Sequence, residues 1–63
     1  LNRNAVYLVL IHNHPSGNVS PSREDLEVTL QIKEAGTILG IPLLDHIIVG
    51  HSLYYSFAES GTL

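Results

Sequence analysis

Three apolar blocks separated by polar stretches set the pattern of this chain. Residues Ala5 to Ile11 (AVYLVLI) form an unbroken apolar run. The run is short, rich in β-branched and aromatic types and without a 3.6-residue period, so it predicts a strand covered on both faces. If the strand runs on to His14, alternation puts His12 and His14 on one side and Asn13 on the other. Pro15 then ends regular pairing, because its nitrogen has no hydrogen to give. Ser16 to Pro21 has the residue types of a loop.

A helix is expected next. Ser22 is a good N-cap, and Asp25 stands where the carboxylate of a capping box belongs. Glu24, Asp25 and Glu27 gather at the positive end of the helix dipole. Val28, Ile32, Ala35 and Leu39 follow as a narrow apolar stripe at i, i+4, i+7 and i+11. Leu26 and Leu30 fall on the opposite side, so either this helix is covered on two sides or its second side meets another chain. Gly36 costs up to about 1 kcal/mol of helix propensity and reads as close packing; Gly40, ahead of Ile41 and Pro42, reads as the C-terminal cap.

Leu43 to Val49 (LLDHIIV) predicts a second strand, apolar on both faces except at Asp45 and His46. Gly50 to Ser52 is a turn, and Leu53 to Phe57 alternates as a third strand that forms a hairpin with the second. The tail from Ala58 carries no element signal. The order is β-α-β-β and the class α/β.

Composition narrows the reading. With 63 residues the chain is one domain at most, of a size that buries only about 60% of its unfolded surface. There is no cysteine, which excludes disulfides and thiolate zinc sites. An apolar fraction of 44% is a great deal to hide in so short a chain, and the first residue is Leu1. Residues 1–63 are therefore expected to be the C-terminal portion of a single larger domain whose upstream part is absent, or a module that closes an open face by self-association. The net charge is −3, and the three basic residues, Arg3, Arg23 and Lys33, are scattered. Phosphate binding needs such residues clustered, so a nucleic-acid partner is not expected. No apolar run approaches the ~20 residues of a membrane span; a soluble, cytoplasmic protein is expected.

The chemistry concentrates in HNHPSGNVSPSRED, from His12 to Asp25. Catalytic zinc takes three N or O ligands from protein and leaves its fourth position to water. His12 and His14 from a strand end and Asp25 from a helix start would make such a set, with the helix dipole keeping the carboxylate ionised. Two histidines one residue apart are weak as a signal by themselves, and Ser22 with Asp25 alone is a helix cap. The capping and ligating roles are compatible, since a capping hydroxyl can still donate its proton toward the pocket.

The same residues carry a resemblance. HNHPSGNVSPSRED matches the H-x-H-P-x6-S-x-x-D pattern of the JAMM (MPN/JAB) metalloprotease family, and with EAGTILGIPLLDHIIVG downstream it resembles the bacterial RadC branch, from about Asn4 to Gly61. The resemblance implies a cytidine-deaminase-like JAMM sheet with a packed helix, here a β-α-β-β portion of it. It implies Zn2+ bound by His12, His14 and Asp25, and Ser22 holding the attacking water or stabilising the oxyanion during hydrolysis of a peptide or isopeptide bond. The family's general base is a glutamate upstream of the histidine strand. Glu24, Glu27, Glu34 and Glu59 all lie after the histidines, so that position is unmatched and hydrolysis is expected to be incomplete in this segment.

Asp45 and His46 allow two readings: a hydrogen-bonded pair that fixes a strand end, or a partner that orients a zinc ligand. His51 is expected in solvent. Two rivals to a zinc hydrolase stay in view. One is a non-catalytic, metal-stabilised binding or assembly module. The other is a DNA-processing accessory, after the historical association of the RadC name with DNA repair.

Overall fold

The computed structural model describes residues 6–63. Its elements are β1 (Leu8–Asn13), α1 (Arg23–Leu39), β2 (Leu43–Val49), β3 (Tyr54–Ser56) and α2 (Phe57–Ser60). The strands form one sheet in the order β1-β2-β3, with β1 parallel and β3 antiparallel to β2. A parallel neighbour needs a long crossover, and α1 supplies it. The hairpin joining β2 to β3 turns at Gly50, whose N–H bonds Leu53 O at 2.9 Å. The expected α/β class and element order hold, and β2 has the predicted bounds.

Leu8 pairs with Leu43 and Val9 with Asp45, so Leu44 is an extra residue on β2. Beyond this irregularity the pairing is continuous to Asn13 and Val49. His14 extends it by one bond, from its N–H to Val49 O at 3.0 Å. Side-chain alternation places Leu10, His12, His46 and Ile48 on one face of the sheet, against α1.

The start of α1 is capped as the sequence predicts. Asp25 N–H donates to Ser22 Oγ at 3.1 Å, and Ser22 N–H donates to Asp25 Oδ2 at 2.7 Å. Gly40 closes the other end in the left-handed conformation, at φ 74°. Gly36 is close packing: a Cβ there would collide with the Ile41 carbonyl oxygen.

Three expectations change. The first strand is not covered on both faces; Val9 and Ile11 are exposed, the latter by 71%, because α1 lies on one face only. The predicted strand also began at Ala5, which lies outside the described residues. In the helix, the apolar stripe is not the buried one. Asp25, Thr29 and Gly36 are buried with Ile32 half-buried between them, while Val28, Ala35 and Leu39 are exposed. The close approach at Gly36 and the polar cluster at the helix start turn α1 onto small and polar side chains. Leu26 and Leu30 are exposed as well.

The third correction concerns the end of the chain. Phe57 is not in the third strand but begins α2, fully buried. Ser56 caps this short helix, accepting from Glu59 N–H at 3.1 Å. The S-x-x-E spacing of Ser56 and Glu59 is the signal that could have found α2 in the tail. Phe57, Ile48 and Leu43 are the buried apolar core.

Candidate metal centre

The end of β1 and the start of α1 bring the three predicted ligands together. His12 Nδ1 lies 2.9 Å from Asp25 Oδ1, and His14 Nε2 lies 3.0 Å from Asp25 Oδ2. One ligand atom from each residue falls within 4.8 Å of the others. Ligand atoms around a four-coordinate zinc with bonds of about 2.0–2.1 Å sit roughly 3.4 Å apart, so this cluster is of the right size.

The donor chemistry also fits a cation. His14 Nδ1 is 2.8 Å from the Asn18 carbonyl oxygen, which can only accept; Nδ1 therefore carries a hydrogen and Nε2 is the inward-facing nitrogen. A lone pair on Nε2 facing a carboxylate oxygen is unfavourable unless a proton or a metal lies between. A backbone carbonyl behind the imidazole is a usual support for a ligating histidine. Asn18 is set in turn by local loop bonds, its N–H to Ser16 Oγ at 3.3 Å and its side-chain oxygen to Ser20 N–H at 3.0 Å.

Asp25 is 5% exposed. Burial opposes its charge, but the Ser22 N–H and side chain, with His12 and His14 beside it, outweigh burial and hold its pKa below the ordinary 3.8. The carboxylate is therefore ionised and available as a ligand near neutrality. In the cap the Ser22 Oγ acts as an acceptor, and among the described residues its O–H is uncommitted.

Asp45 and His46 point to opposite faces of β2 and do different work. Asp45 Oδ1 accepts from His46 N–H at 2.7 Å and Ala58 N–H at 3.0 Å, and Oδ2 accepts from Ser56 Oγ at 2.6 Å. Asp45 thus ties β2 to the start of α2. Burial opposes its ionisation, yet these bonds prevail and lower its pKa. His46 is buried beneath the cluster, with Nδ1 2.6 Å from Thr29 Oγ1. Burial, its largest influence, pushes its pKa below the ordinary 6.5, although the charge of Asp25 works the other way. Composition and spacing gave no sign of Thr29; the only hint is its place four residues after Asp25, on the same helix side.

A cavity of about 330 Å³ opens beside the cluster, lined by Leu10, Ile11, His12, Glu24, Asp25, Val28 and His46. His51 is exposed and lies over Gly17, where a Cβ would come 2.6 Å from its ring and where φ is +85°. The ligand loop is thereby seated on the β2–β3 turn.

The fold and the cluster together define a class: an α/β unit that gathers a His-His-Asp set at a strand end and a helix start. A family model described as a RadC-like JAB domain matches residues 1–62. The chain belongs to that family. A UPF0758 protein of Trichlorobacter lovleyi is 59% identical over 59 residues, covering 94% of this chain and 26% of that protein. UPF0758 proteins of Clostridium botulinum and Clostridium beijerinckii are each 48% identical over 63 residues, covering 100% of this chain and 28% of theirs. The chain thus spans about a quarter of the length of the curated relatives it matches.

Proposed function

We propose that this chain is the metal-binding portion of a zinc-dependent hydrolase domain, with His12, His14 and Asp25 as ligands and an amide or isopeptide bond as substrate. The observation that carries the reading is the convergence of the two imidazoles on the two oxygens of one carboxylate, at 2.9 and 3.0 Å. Bound zinc supplies Lewis acidity, polarising a carbonyl and lowering the pKa of water toward about 7.

The residues then divide the work. Asn18 O fixes which nitrogen His14 presents. The Ser22 backbone and the helix start hold Asp25 ionised. The Ser22 O–H donates toward an oxygen of the substrate or of the attacking water. Leu10 and Val28 give the pocket part of its apolar lining. The acid–base carboxylate that the JAB pattern expects is proposed to come from the remainder of a longer protein. A general base is worth roughly 10²–10⁴-fold, so these residues alone should hydrolyse very slowly.

Exposed apolar side chains favour a second reading, a metal-stabilised assembly module. Ile11, Ile38 and Leu39 are 71%, 83% and 70% exposed among the described residues. Another copy or the upstream part of the domain would then be the partner. Among the described residues no helix is long and apolar enough to cross a membrane, in keeping with a proposed cytoplasmic setting.

The deciding experiment uses the full-length protein: zinc content of the parent and of His12→Ala and Asp25→Ala, with cleavage of peptide and isopeptide substrates before and after chelation. Zinc in the parent alone, and cleavage lost to the chelator and restored by zinc, is expected. A parent that retains no zinc ends the metal reading. Zinc without any cleavage leaves the assembly module. DNA affinity that falls steeply with salt would reinstate the DNA-processing rival.

A further inference from the structure

We propose that Thr29 and His46 act as a positioning pair for the metal centre, Thr29 by locking the tautomer of His46 and His46 by fixing the plane of His12. The inference rests on the metal-binding reading above and extends it to two residues that touch no metal.

The argument begins with one hydrogen. Thr29 Oγ1 lies 2.6 Å from the Asp25 carbonyl oxygen and 2.6 Å from His46 Nδ1. A hydroxyl has a single hydrogen to give, and a carbonyl can only accept. The hydrogen therefore goes to Asp25 O, and Oγ1 accepts from His46 Nδ1–H. The alternative would leave two bare oxygen acceptors facing each other at that distance. Both residues are sealed from solvent, Thr29 at 4% and His46 at 3% exposure, so water does not offer either a substitute partner.

The ring so fixed is one of three in a layer. Phe57 stacks on His46 with centroids 4.7 Å apart and planes 10° from parallel. His46 also lies near-parallel to His12, with centroids 6.2 Å apart and planes 22° from parallel. His12, which also meets the His14 ring at 4.8 Å and 86°, has His46 as its one near-parallel ring neighbour among the described residues. Its side chain is 47% exposed, and among the described residues its one polar contact is Asp25 Oδ1. By contrast, His14 is 17% exposed and is held from behind by Asn18. The Thr29 bond also ends on the backbone of Asp25 itself, so the pair holds one ligand by its main chain and borders another by its ring.

A merely structural pair would change stability and leave the zinc affinity of the folded protein alone. A positioning pair changes affinity. The test measures zinc dissociation constants by chelator competition in full-length parent, Thr29→Val, Thr29→Ser and His46→Phe, alongside long-range ¹H–¹⁵N correlations of the His46 ring. Expected are a loss of about 10–100-fold for Thr29→Val and His46→Phe, the range seen for outer partners of ligands, recovery in Thr29→Ser, and an Nδ1–H tautomer in the parent. Equal affinities in folded variants, or an Nε2–H tautomer, would overturn the pairing while leaving the metal site standing. A parent without zinc affinity would overturn the metal reading and this inference with it. If Thr29→Val does not fold, His46→Phe decides: an affinity matching the parent's counts against the role, and a loss of about 10–100-fold with the Nδ1–H tautomer in the parent supports it.

Discussion

Ser22 and Asp25 hold each other in both directions, the Ser22 N–H on Asp25 Oδ2 and the Asp25 N–H on Ser22 Oγ. The oxygen that closes the cap also faces His14 Nε2. Helix initiation and ligand placement are therefore one structural act. Ser22→Ala removes the hydroxyl but keeps the Ser22 N–H on the carboxylate. Stability should fall by about 1 kcal/mol in a denaturant titration, with zinc affinity little changed. Turnover of a substrate should fall by more than stability does, because the uncommitted O–H is lost. Loss of zinc from this variant would contradict the assignment of Asp25's position to the backbone bond.

Gly36→Ala sets two effects against each other. Helix propensity favours alanine by up to about 1 kcal/mol. The added Cβ meets the Ile41 carbonyl oxygen, which belongs to a backbone held in place by the Ile41 N–H donating to Gly36 O at 2.8 Å. Overpacking of this kind costs about 1–3 kcal/mol, so the clash prevails and the melting temperature should drop. A stabilised variant would show that the helix end can move away from the crossover.

Asp45→Ala separates the two polar residues of β2. It removes the acceptor for Ser56 Oγ, Ala58 N–H and His46 N–H. Ser56 is buried, and a buried donor left without a partner costs about 1–3 kcal/mol, so stability should fall markedly. Zinc affinity of the folded fraction should stay near that of the parent, since Asp45 faces away from the ligands. A zinc affinity that falls in step with stability would mean that α2 and the metal centre are coupled.

The pH dependence follows from three lowered pKa values. Asp25 and Asp45 titrate below 3.8 in the folded chain, so the stability they contribute is present above that value and is lost as pH falls through their folded values. His46 titrates below 6.5 when folded. The unfolded chain then binds more protons in the interval below 6.5, and stability rises with pH across it. Denaturation midpoints measured with chelator present should climb from acid to about 6.5, and His46→Asn should flatten the part of the slope just below 6.5. A slope unchanged in that variant would assign the titration to another histidine.

Much of this was legible in the sequence because local rules and chemistry agreed. Alternation carried His12 and His14 to one side, and S-x-x-D predicted the cap that brings Asp25 beside them. Gly36 and Gly40 announced a close approach and a helix end. The misreading of α1 has a plain cause. Binary patterning assumes that helices bury their apolar side, yet α1 turns Asp25 and Thr29 inward and leaves Val28 and Leu39 outside. Functional sites are where such patterning is expected to break. Phe57 fitted the alternation of a strand equally well; the Ser56 cap starts α2 at this residue, and packing against His46 buries it there. The roles of Thr29 and His46 depend on a contact between elements 17 residues apart, which no local pattern encodes.

The extra residue at Leu44 has a further consequence. Strand neighbours alternate sides, so sliding β1 by a single position along β2 would swing both imidazoles to the far surface and bring Asn13 round in their place. An alignment slipped by one position cannot assemble the cluster. Zinc uptake during refolding would therefore report that the chain had found its proper alignment, and an ion captured early would select against the slipped alternatives.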